Sequence, residues 1–149
     1  MIIYKDITFD QIQIIKELWE KNRIYHEKKS EYFGKQYSDV IFEERMNSFA
    51  PLDYNHLKIT IAENSENGKI LGYCVSAFEG NSGQPHSLHV LEEARGKGIG
   101  KYLMNKHLEW LKNNGCINIT VTVSYENYST IEFYKSLGFR SDTIEMKLI

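Results

Sequence analysis

The spacing of apolar positions changes several times along the chain, and each change marks an element. Residues 2–7 alternate loosely, which predicts a first strand. Thr8, followed three places on by Gln11, has the form of a capping box. Ile12, Ile15, Leu18 and Trp19 then recur at helical spacing, so a first helix is predicted to run to about Lys28. Residues 30–37, rich in aromatics and holding Gly34, read as an irregular connection, and Val40, Ile41 and Met46 place a second helix over about 38–48. Leu57, Ile59 and Ile61 alternate with polar neighbours as a half-buried strand. Asn67-Gly68, a strong hairpin dipeptide, returns the chain into 70–78, more apolar and so more central. A turn is predicted over 81–85, then a strand ending at Leu91.

Leu103, Met104, Leu108 and Leu111 lie along one side of a helix predicted over 101–114, with Gly115 as its stop. Ile117, Ile119, Val121 and Val123 alternate strictly with polar residues, which predicts another strand. Asn127 or Ser129 caps a helix carrying Ile131, Phe133, Tyr134 and Leu137, and a last strand is predicted over 139–149. No repeat or linker interrupts this order. The expectation is a single α+β domain over 1–149, with a mixed, mostly antiparallel sheet.

Charge narrows the partners. Lys plus Arg number 18 against 20 Asp plus Glu, a net charge of −2, and without a basic block nucleic acid is not the expected partner. The first residues lack a basic leader and a long apolar core, and no run could span a bilayer, so a cytoplasmic protein with no membrane partner is expected. Cys74 and Cys116 stand far apart and read as reduced, buried thiols. The five His and two Cys include no pair at helical ligand spacing beyond a weak His86/His89, so no metal is expected.

The candidate chemistry starts at Arg95-Gly96-Lys97-Gly98-Ile99-Gly100, between a predicted strand and a predicted helix. Glycines let the backbone approach a ligand closely. The first N–H groups of a helix have no internal partner and sit at its positive end, which suits a phosphate. Two phosphate loops fail on spacing. A P-loop needs Ser or Thr after Gly-Lys, but Tyr102 follows Gly100-Lys101. A dinucleotide fingerprint counted from Gly96 puts Lys101 where its third glycine belongs.

What fits is Arg-x-x-Gly-x-Gly, as Arg95, Gly98 and Gly100, within residues 88–100. With Asn127 and then Phe133-Tyr134-Lys135-Ser136-Leu137-Gly138-Phe139, the chain resembles the GNAT superfamily of N-acetyltransferases. Motif-level resemblance covers about 88–139, and the first third agrees in architecture alone. Glu92 departs from the proline that many members carry just before the arginine.

The resemblance implies a GNAT-like fold with helices on both faces of the sheet and acetyl-CoA as co-substrate. It implies that backbone N–H groups of Arg95, Gly96, Lys97, Gly98, Ile99 and Gly100 hold the pyrophosphate. Leu88 and Val90 would offer backbone groups to the pantetheine arm and an N–H to the developing oxyanion, Asn127 would bond the pantetheine or hold the loop after Val123, and Tyr134 would protonate the departing thiolate. Transfer would be direct attack by a primary amine of a small molecule or protein. The base is open between Glu79, His86, His89 and water; His86 and His89, an odd number apart, face opposite sides of a regular strand.

Plainer readings stand beside these. The loop could be a solvated turn, Tyr134 a core aromatic, Asn127 only a helix cap, and the whole a non-catalytic acyl-CoA-binding module. His26, Glu27, Glu31 and Tyr32 could line an acceptor pocket or simply end a surface helix, and His56 and His107 read as solvated. Relatives often dimerise through their last strands, and nothing in 142–149 decides whether this chain does.

Overall fold

The computed structural model describes residues 1–149. Its five-stranded sheet has the order β1-β2-β3-β4-β5. Strands β1 (Ile2–Ile7), β2 (Leu57–Asn64), β3 (Ile70–Glu79) and β4 (Ser82–Val90) pair antiparallel in sequence. Gly68 and Gly80, at φ 72° and 58°, turn the two hairpins. The 80–81 turn is tighter than the sequence pattern indicates, because Ser82 already pairs with Glu79.

After β4 the chain crosses one face as helix α4 (Ile99–Asn113) and returns as β5 (Asn118–Ile119), parallel to β4. The other face is covered by α1 (Lys16–Lys29), the short α2 (Gly34–Ser38) and α3 (Phe42–Asn47). The capping box at Thr8 and Gln11 forms, but it opens a 3-10 segment, Phe9–Ile15, that leads into α1. The stretch read as irregular thus contains α2, and the second predicted helix is only α3. Helix α5 (Tyr128–Ser136) follows β5. No helix is long and apolar enough to cross a membrane.

One core joins both layers, with Ile15, Trp19, Phe42, Tyr73, Val75, Leu103 and Met104 all buried. His107 corrects the reading of a solvated position: it is fully buried in α4. Its Nδ1 lies 2.6 Å from Ser76 Oγ and its Nε2 2.8 Å from Thr60 Oγ1, while Thr60 donates to Asp6 Oδ1 at 2.6 Å. Asp6 also meets Lys58 Nζ at 2.8 Å. With its proton on Nε2, His107 donates to Thr60 and accepts from Ser76, so both of its ring nitrogens are satisfied. Burial, with Lys58 adding, pulls the His107 pKa down to about 3.

These contacts fix which face is which. Even-numbered positions of β3 (Gly72, Cys74, Ser76) turn toward α4, so Tyr73 and Val75 turn toward α1 and α3. Along β4 the register runs Val75↔Ser87 and then Ser76↔Pro85, which leaves His86 as an extra residue in a bulge.

The predicted strand over 139–149 is absent. Ile144, Met146 and Leu148 alternate but are exposed, because no neighbouring edge pairs with them; Lys147 instead reaches Gln36 Oε1 at 2.8 Å. The strand predicted from Ile117 to Val123 pairs over Asn118–Ile119 alone.

Candidate functional site

The glycine loop folds as its composition demands. Gly96 and Gly98 have φ of 82° and 79°, and a Cβ on either would meet nothing within 4 Å. Their glycines are therefore required by backbone conformation, and they leave open space above the loop. Gly98 is the N-cap of α4, and the first backbone bond onto it comes from Tyr102 N at 3.0 Å. The N–H groups of Ile99, Gly100 and Lys101 precede that bond and are without helical partners. Ile99 buries its side chain, 1% exposed, so only its backbone faces outward. Gly100 sits where a Cβ would lie 3.6 Å from Val90 Cγ2 and 3.8 Å from Phe133 Cζ.

Beside the loop, β4 loses its neighbour. Thr120 N donates to Gly83 O at 3.1 Å, and the β4–β5 pairing goes no further. On the opposite edge, Leu91 N bonds Leu71 O at 2.9 Å, so in this antiparallel register Leu91, His89 and Ser87 bond toward β3. The alternate residues, Leu88 and Val90, consequently direct their N–H and C=O groups into the gap. Arg95 Nε takes the Val90 carbonyl at 3.1 Å, and the other groups are available.

Asn127, at the start of α5, is 0% exposed. Its Oδ1 accepts from Thr130 N at 3.4 Å, capping α5, while its Nδ2 is buried without a partner. A buried, unmade amide donor is costly, and a ligand carbonyl would satisfy it. Tyr25 of α1, absent from the sequence reading, ties the parts together. Its hydroxyl lies 3.4 Å from Asn127 Oδ1, and its ring lies 5.7 Å from the Arg95 guanidinium carbon. No sequence signal singles it out; the contact spans most of the chain.

Phe133 and Tyr134 of α5 are partly buried, in different places. Phe133 abuts Gly100, whereas Tyr134 packs against Phe139 with ring centroids 5.5 Å apart. Burial, then the nearby Cys74, holds the Tyr134 hydroxyl above its ordinary pKa, so it keeps its proton at neutral pH.

On the α1 face of β4 lie two cavities, of about 350 and 260 Å³, which share Arg45, Phe49 and His86. The bulge overturns the parity argument: His86 lines both cavities, and His89 also faces this side, its Nδ1 3.2 Å from Asn22 Oδ1 on α1. Burial, with Arg45 adding, brings His86 down to about 4. Burial, then Arg95, His26 and Lys21, does the same to His89. Both imidazoles are neutral at pH 7. Glu79 lines the first cavity and His26 the second, with His26 Nδ1 buried and unpartnered. Glu27 pairs with Arg23, the Glu31 N–H bonds Glu126, and Tyr32 is exposed, so these three belong to the surface.

Comparison with known proteins adds a family. A model described as the acetyltransferase (GNAT) family matches residues 16–139. An uncharacterized N-acetyltransferase of Methanocaldococcus jannaschii, MJ1207, is 41% identical over 59 residues, which is 40% of this chain and 26% of that protein. The match thus spans about a quarter of the relative's length. Among solved structures, the BH1408 protein of Bacillus halodurans superposes with a TM-score of 0.78 at 19% identity over 99% of both chains. An aminoglycoside N-acetyltransferase, AAC(6')-Iy, in complex with CoA superposes with a TM-score of 0.70 at 15% identity, covering 100% of this chain and 94% of the other.

Proposed function

Since the chain belongs to the acetyltransferase (GNAT) family, we propose that it is an acetyl-CoA-dependent N-acetyltransferase acting on a primary amine. The observation that carries this reading is the parting of β4 from β5 after Gly83, which leaves the Leu88 and Val90 N–H groups unclaimed beside a glycine-capped helix. The residues present fit CoA: open space over Gly96 and Gly98, free N–H groups at the start of α4, and the orphaned Asn127 amide.

Acetyl-CoA supplies an activated thioester carbonyl. The loop Arg95–Gly100 would bind its pyrophosphate through backbone N–H groups, with Arg95 and Lys97 adding charge. Arg95 reaches back to the Val90 carbonyl and steadies the loop against β4. Asn127 Nδ2 would donate to an amide carbonyl of the pantetheine arm. An N–H on the free edge of β4, at Leu88 or Val90, would stabilise the oxyanion. Tyr134, protonated at neutral pH, would give its proton to the leaving sulfur. For the amine's proton, His86 and Glu79 line the cavities, while His89 is engaged by Asn22. Most of the acceleration would come from holding amine and thioester together.

The test is thiol release from acetyl-CoA across a panel of amines, comparing wild type with Tyr134→Phe. Acetylated product formed by wild type and lost in Tyr134→Phe supports the reading. CoA binding without transfer to any amine would make the chain a non-catalytic CoA module instead.

A further inference from the structure

We infer that the cleft on the α1 face of β4 is built for an amine that also carries a carboxylate, which Arg45 binds. This rests on the acyl-transfer reading above and names the acceptor class for it. The sequence shows no basic groove; the arginine becomes visible only when α3 is laid over β4.

Arg45 lies at the junction of the two cavities, with Phe49 and His86. Its Nη1 donates to Ser48 Oγ at 3.1 Å, and its guanidinium carbon is 5.2 Å from the Phe49 ring centroid. No carboxylate neutralises it. The adjacent Glu43 is taken by Lys16, and the cleft's other arginine, Arg23, is held by Glu20 at 3.1 Å and Glu27 at 3.5 Å. A half-buried guanidinium with most of its N–H donors unused favours a planar, singly charged, bidentate partner.

The rest of the lining agrees. Glu79 is the single acidic residue around either cavity, and it has no ion pair. His26 and His86 are kept uncharged by burial, so the cleft offers one free cation and one free anion. That balance matches a zwitterion, with its ammonium attracted by Glu79 before deprotonation and its carboxylate held by Arg45. A phosphate would bring more negative charge than one arginine offsets. The volumes, about 350 and 260 Å³, suit a small molecule.

The experiment titrates the CoA-loaded protein calorimetrically with amino acids and with amines lacking only the carboxylate: L-phenylalanine against phenethylamine, and L-leucine against isoamylamine. At least one amino acid should bind about 10–100-fold more tightly than its amine, the worth of a charge-assisted hydrogen-bonded pair. Arg45→Met keeps the aliphatic stem against Phe49 and should abolish that preference while CoA affinity holds. Arg45→Gln serves the same purpose should the methionine variant fail to fold. No preference in wild type, or a preference that survives loss of the guanidinium, overturns the inference. A preference without transfer to any amine sinks the enzyme reading and leaves the carboxylate site standing; transfer with no preference does the reverse.

Discussion

Replacing Gly98 by alanine separates a strained backbone from a ligand contact. At φ 79° any residue with a Cβ pays about 1–2 kcal/mol, and the open surroundings add no clash. For a chain of this size each kcal/mol lowers Tm by about 2–4 °C, so Gly98→Ala should melt about 2–8 °C below wild type. Gly68 is the control. Its φ of 72° and equally open surroundings predict the same loss from Gly68→Ala, in the β2–β3 hairpin, outside the Arg95–Gly100 loop. Only the Gly98 methyl would enter the space assigned to the pyrophosphate. Forfeiting one charge-assisted backbone bond there costs about 1.5–3 kcal/mol, or about 10–150-fold in CoA affinity. Thermal melts and calorimetric CoA titrations of both variants check the pair. Wild-type CoA affinity in Gly98→Ala, or an equal loss in Gly68→Ala, would refute the assignment of the loop.

Tyr134→Phe should reduce kcat by about 10²–10⁴-fold with CoA affinity retained, measured by steady-state thiol release and calorimetry. Asn127→Ala should both weaken CoA binding and destabilise α5, since the cap alone is worth about 1 kcal/mol; a normal CoA Kd in a variant of lowered Tm would reduce Asn127 to a cap. Acid should destabilise the fold through His107. Its folded pKa is about 3 against an ordinary 6.5, so between those values the unfolded chain binds a proton that the native state refuses. Stability should therefore fall as pH drops below 6.5, by up to about 1.4 kcal/mol per unit from this group. His86 and His89 act in the same direction, and His107→Gln should flatten the slope in melts run from neutral pH downward.

The loop and its helix were legible because their signal is local: strand alternation, glycines, then a stripe of Leu103, Met104, Leu108 and Leu111. Asn127 was legible as a cap for the same reason. His107 was not, although it falls within that apolar stripe, because its partners Thr60 and Ser76 lie on separate strands. The facing of His86 and His89 failed on the bulge. Pro85 gives a local hint, since it cannot donate in the ladder, but a register shift belongs to two strands and one shows only half of it. The strand expected over 139–149 failed differently: alternation shows that a segment could pair, not that an edge is there to receive it. Tyr25 and Arg45 had no signature, since each acts through contacts far away in sequence.

The brief pairing of β4 with β5 has a kinetic side. Strands β1 to β4 pair in order, two of the three pairings through short turns, whereas β5 touches the sheet at Ser82 and Gly83, and α5 and the residues after it pack on the core through Phe133, Tyr134, Leu137 and Phe139. The segment from β5 onward should dock last in folding and open first in the native state. CoA bound between the two parts would staple them. Slowed amide hydrogen exchange after residue 118 on adding CoA, with the β1–β3 amides unchanged, would show the substrate completing the domain that binds it.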